Sequence, residues 1–85
     1  IDTAKHVDPA FWRAFVPAMR ARAKARGIPN FHIFGEVASG DYDPALLAGW
    51  TRDAGLPAVL DFAFQHAVTA ALSGRGNAEL ARLFD

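Results

Sequence analysis

The residues with the most to offer chemically are Asp2 and Glu36. Each stands in a short run that reads as the end of a buried strand. Around the aspartate the run is Ile1-Asp2-Thr3-Ala4-Lys5-His6-Val7, and around the glutamate it is Phe34-Gly35-Glu36-Val37. Two carboxyl groups on separate strand ends suit double displacement at a sugar carbon: one attacks, the other protonates the leaving oxygen. That chemistry needs the pair about 5 Å apart on a rigid frame. It also needs an ionised nucleophile beside a protonated acid, a split that apolar surroundings and a neighbouring negative charge bring about.

The frame follows from the order of elements. Asp8-Pro9 is a helix start, an acceptor for free N–H groups followed by a proline that the first turn tolerates. Phe11, Phe15, Ala18 and Met19 then recur at helical spacing as far as Arg26, with Trp12, Val16 and Ala23 widening the stripe. Pro17 predicts a kink within this helix, and Gly27 a stop. After the turn Ile28-Pro29-Asn30, the apolar run Phe31-His32-Ile33-Phe34 predicts a strand buried on both faces. It empties into a loop, Gly35 to Asp41, that carries Glu36. Asp43-Pro44 repeats the helix-start signal for a short helix to Asp53, with Leu46, Leu47 and Trp50 on one side. Ala58 to Phe62 reads as a third strand, Phe64 to Leu72 as a helix, Ser73 to Gly76 as a loop, and Asn77 as the cap of a last helix, Ala78 to Phe84.

Strands alternating with helices predict a parallel sheet with right-handed crossovers. Asp2, Glu36 and Asp61 all fall just past expected strand ends, the face on which (β/α)₈ barrels assemble their sites. No G-x-G-x-x-G follows the first strand, so nothing supports a dinucleotide-binding fold. The expected fold class is α/β, a partial (β/α)₈ TIM barrel of about three parallel strands with flanking helices. Three strands cannot close a barrel, so residues 1–85 are expected to be one central fragment of a catalytic domain.

Composition narrows the alternatives. With 85 residues, one small core is the limit. Nine basic residues balance nine acidic ones, so net charge argues for neither nucleic acid nor an acidic partner. There is no cysteine, hence no disulfide or thiolate metal site. No run reaches the roughly 18 apolar residues of a membrane span, and nothing resembles a signal peptide. The chain opens on an expected strand end instead of a polar linker, which again predicts an excerpt from a longer polypeptide.

The two carboxylate segments resemble motifs of the α-amylase family, glycoside hydrolase family 13. The stretch Ile1 to Val7 is similar to the segment ending that family's fourth barrel strand. There an arginine, any residue and the nucleophilic aspartate are often followed by lysine-histidine. Phe34-Gly35-Glu36-Val37 resembles the fifth-strand motif with the acid/base glutamate, and Asp61-Phe62 resembles the segment just after the sixth strand. The resemblance thus covers the fourth strand to the sixth helix. It implies Asp2 as nucleophile, Glu36 as acid/base, and Lys5 and His6 as contacts to sugar hydroxyls on the leaving-group side, with Ser39 and Gly40 lining the same side. It also implies a structural calcium bound by the His6 backbone carbonyl, an oxygen ligand of the kind calcium prefers. The implied partner is an α-glucan such as starch, with no nucleic acid and no membrane, in a secreted or periplasmic setting. The lysine-histidine pair leans toward an endo-acting enzyme. The family's arginine would stand directly before Ile1. Its third acid, an aspartate after the seventh strand, has no counterpart here, so the 85 residues alone are expected to be inactive.

The remaining residues read as structural. His32 and His66 suit packing or hydrogen bonding, Trp12 and Trp50 suit a core, and Asp61 suits a helix cap. Arg20, Arg22, Lys24 and Arg26 complement the dipole at a helix C-terminus and face water. The competing reading makes them a stripe through which a small non-enzymatic α/β module binds nucleic acid or protein, although no aromatic residue is interleaved for base readout.

Overall fold

Aspartate-proline pairs start two of the four α-helices. In the computed structural model, which describes all residues from Ile1 to Asp85, Asp8 Oδ1 accepts from the Ala10 N–H at 2.7 Å. Asp43 Oδ1 accepts from the Leu46 N–H at 2.9 Å. These contacts satisfy donors that the first turn leaves free, and they open α1 (Pro9–Ala25) and α2 (Pro44–Arg52). Asp61 caps α3 (Phe62–Leu72) in the same way, its Oδ1 accepting from the Phe64 N–H at 2.9 Å. Asn77 precedes α4 (Ala78–Leu83) but makes no side-chain cap bond, contrary to its sequence signal.

Helix α1 runs on through Pro17, which has no N–H to donate to the preceding turn. It ends in a Schellman turn. Gly27 adopts φ +82°, a region open to glycine. Its N–H reaches the Lys24 carbonyl while the Ile28 N–H reaches back to Ala23. Arg20, Arg22, Lys24 and Arg26 are exposed along this end, and none forms an ion pair. No helix is long and apolar enough to cross a membrane.

The expected parallel sheet does not form, and with it goes the expectation of a partial α/β TIM barrel. More than half of the chain is helical. Pairing of the expected second and third strands comes down to one isolated parallel bridge, between Gly35 and Val59. The Gly35 N–H donates to the Ala58 carbonyl, and the Leu60 N–H to the Gly35 carbonyl, each at 3.0 Å. The reason lies in how few residues can form a ladder. Phe31, His32 and Ile33 make no backbone hydrogen bonds. Phe31 and Phe34 remain 41% and 45% exposed, so the run is not covered on both faces as a buried strand would be. Past Gly35 the chain turns toward Ile1 and Ala4, and past Leu60 it enters α3. At the first expected strand, Ala4–His6 forms a single 3₁₀ turn.

Packing centres on one small cluster. Trp12 and Val16 of α1 meet Ala4, Ile33, Val37, Leu47, Ala54, Leu56 and Ala63. Leu56 and Val37 are the largest side chains fully buried. The molecule measures 49 × 26 × 22 Å with a radius of gyration of 15.3 Å. A self-contained domain of this length would have about 12 Å. The core is thin for the chain that surrounds it.

Candidate active site

The structure brings the aspartate and glutamate segments together by backbone hydrogen bonds. The Glu36 N–H donates to the Ile1 carbonyl at 2.8 Å, and the Ala4 N–H to the Glu36 carbonyl at 2.9 Å. The Ile1 backbone nitrogen adds a bond to the Phe34 carbonyl at 2.9 Å. Asp2 is therefore bracketed by two residues pinned to the glutamate segment. The Glu36 carboxylate lies beside the peptide unit that joins Asp2 to Thr3, with its Oε1 3.4 Å from the Thr3 N–H. Glu36 is half-buried; Asp2 is exposed, and its carboxylate makes no hydrogen bond or ion pair.

Thr3 has φ +48°, the one non-glycine residue in the left-handed region. A β-branched residue pays a steric penalty there, of order 1–3 kcal/mol, and persists when its surroundings over-determine it. Here they do. Ala4, next in sequence, is fully buried. Its N–H is held by Glu36 and its carbonyl by the Trp12 indole N–H at 2.9 Å. Across from Ala4 sits Gly35. A Cβ at that position would lie 2.9 Å from Leu56 Cδ1 and 3.0 Å from Ala4 Cβ. Only glycine lets the two segments approach this closely.

The other expected site residues lie on the same two loops. Lys5 Nζ donates to the Ala38 carbonyl at 2.6 Å, tying the aspartate loop to the glutamate loop. His6 closes the 3₁₀ turn, and its exposed imidazole has no partner. The Ser39 hydroxyl donates to the Asp41 carbonyl at 2.9 Å and accepts from the Asp41 N–H at 3.3 Å, folding its loop on itself. Gly40 is exposed, with open space where a side chain would begin. Farther along, the Tyr42 hydroxyl donates to the Glu79 carbonyl at 3.1 Å, anchoring this loop to α4. His66 pairs with Glu79 at 3.5 Å, and the His32 ring stacks on Phe34. Both histidines thus have packing or pairing roles.

No enclosed cleft surrounds the carboxylates. Four cavities of about 250–290 Å³ indent the molecule, and neither Asp2 nor Glu36 lines any of them. The largest is apolar and lies against Phe15, Met19, Phe31 and Phe34. No three carboxylate or imidazole side chains gather to hold a metal, and the His6 carbonyl supplies one oxygen where calcium takes six to eight.

Sequence reasoning missed three contributors: the left-handed Thr3, the Ala38 carbonyl under Lys5, and the Trp12 indole on Ala4. Only the last carried a signal, since a buried tryptophan N–H needs an acceptor.

Two carboxylates on hydrogen-bonded neighbouring segments, with a lysine and histidine close by, are equipment for acid and nucleophile chemistry on a polar substrate. In an alignment of 85 positions that covers 99% of its length, the chain is 41% identical to "Alpha-amylase" of Streptomyces lividans. It spans 9% of the length of that protein. The chain is thus similar, nearly end to end, to a small part of an α-amylase. No family model matches it, and no solved structure does.

Proposed function

We propose that this chain is the part of an α-retaining glycoside hydrolase that carries two of its catalytic carboxylates, acting on α-linked glucans of the starch and maltodextrin kind. The observation that carries the reading is the pinning of the Asp2 segment along the Glu36 segment. Similarity to an α-amylase supports the substrate class. Asp2 attacks the anomeric carbon as the bond to the leaving oxygen breaks. Glu36 delivers a proton to that oxygen, then takes one from the water that releases the sugar. Lys5 keeps two ammonium hydrogens free of Ala38, and these, with His6, Ser39 and Gly40, are assigned to sugar hydroxyls on the leaving-group side. Calcium enters only as an ion of the longer polypeptide, with the His6 carbonyl as one ligand. The reading extends to export, secreted or periplasmic, with no nucleic-acid or membrane partner.

The coding region on either side tests the assignment first. An arginine codon immediately before Ile1 and a histidine-aspartate pair downstream are expected. The full-length product is then expected to release α-configured sugars from starch, followed by nuclear magnetic resonance before mutarotation. β-Configured products, or no hydrolysis, would sink the reading.

Within that polypeptide, Gly35→Ala is expected to destabilise by about 1–3 kcal/mol, the usual cost of overpacking. Ala4 Cβ cannot rotate away, and Leu56 is enclosed. A lowered urea midpoint with an unchanged slope is the expected result. An unshifted midpoint would show that the two segments part readily.

A further inference from the structure

We propose that Trp12 is a positioning residue for the carboxylate pair, setting the placement of Asp2 relative to Glu36 through Ala4; this rests on the glycosidase reading above. Trp12 lies on α1, outside both carboxylate segments, and is 5% exposed. Its indole N–H donates to the Ala4 carbonyl at 2.9 Å, a buried bond. Ala4 is the joint between the segments. Its N–H is bonded to the Glu36 carbonyl, and its Cβ faces Gly35.

Two residues upstream of this joint stands Asp2, whose carboxylate has no hydrogen bond of its own. Between them is Thr3 in its strained conformation. Such a conformation holds only while its neighbours enforce it. Losing the indole N–H leaves the buried Ala4 carbonyl with only the longer bond from the Val7 N–H at 3.3 Å, which lies within the 3₁₀ turn and does not tie it to α1. The 3₁₀ turn can then shift toward water, and Thr3 can relax. Asp2 moves with them, while Glu36 stays between Gly35, which is bonded to Ala58 and Leu60, and the fully buried Val37. The ring itself packs edge-on against Phe11 and Phe15, which stack on each other. A donor-free ring of similar shape therefore keeps the packing.

The test is steady-state kinetics on a soluble α-glucan with the full-length polypeptide, well below its unfolding midpoint. Trp12→Phe is the first variant. The second replaces Trp12 by benzothienylalanine, which keeps the bicyclic shape and exchanges N–H for sulfur. Trp50→Phe is the control, a half-buried tryptophan packed on the same core whose indole donates no hydrogen bond.

Misplacement of about 1 Å can cost on the order of 100-fold in rate. Both Trp12 replacements are expected to lower kcat by about 10- to 100-fold with KM nearly unchanged. The control is expected to lower only Tm. If both Trp12 replacements keep wild-type kcat, or if the control loses kcat equally, the positioning role is overturned and Trp12 is core alone. A wild-type polypeptide without α-glucan hydrolysis would instead sink the glycosidase reading, and this inference with it.

Discussion

Glu36→Gln in the full-length polypeptide is expected to lower kcat on starch by roughly 10²–10⁴-fold, the span that a positioned general acid contributes. Asp2→Asn is expected to lose at least as much. The two losses differ in what restores activity. A substrate whose leaving group departs without protonation bypasses the acid in the first step, so Glu36→Gln regains its glycosylation rate and stalls with sugar attached. No leaving group rescues Asp2→Asn, because the bond to the anomeric carbon is never made. The double variant is expected to be no worse than Asp2→Asn alone, since groups that act as a unit are not additive. Retention of starch hydrolysis by either single variant would remove that residue from the chemistry.

The 85 residues expressed alone are expected to show no cooperative unfolding transition and no starch hydrolysis. Only 12 residues are buried, near the size at which a single core supplies just a few kcal/mol. Phe11, Phe31, Phe34, Leu60, Phe64, Leu72 and Phe84 are exposed. Such apolar area marks interaction surfaces or an aggregation liability. Helical ellipticity should fade gradually on heating, and sedimentation should show self-association that grows with concentration. A sharp transition from a monodisperse monomer would show that the chain folds unaided. The freestanding-module reading, with its stripe from Arg20 to Arg26, would then gain, and salt-sensitive polyanion binding would be the next measurement.

Local signals were legible in the sequence where a side chain acts on its own backbone. Asp8, Asp43 and Asp61 cap helices, and Gly27 ends one, because each effect closes within a few residues. Strands were misread for the opposite reason. An apolar run such as Phe31 to Phe34 states a preference for an extended, covered backbone, but the ladder must come from elsewhere in the chain, and here it amounts to one bridge. At the site, the two carboxylate segments could be named from residue type and order. Their brace could not. Trp12 reads in sequence as one more apolar position on α1, and its bond to Ala4 depends on a tertiary approach that periodicity does not encode.

The Schellman turn at Gly27 carries a consequence for how the molecule comes apart. It lies between the two halves of the candidate site, directly after a row of exposed basic side chains. A trypsin-like protease cutting after Arg26 would leave Asp2 and Trp12 on one peptide and Glu36 on the other. Exposed junctions of this kind are where nicks and insertions are best tolerated. The hydrogen bonds from Ile1, Ala4 and Lys5 to the glutamate loop, with the core packing behind them, would then have to reunite the pieces. That makes this junction the natural place to divide the coding sequence for split-protein complementation.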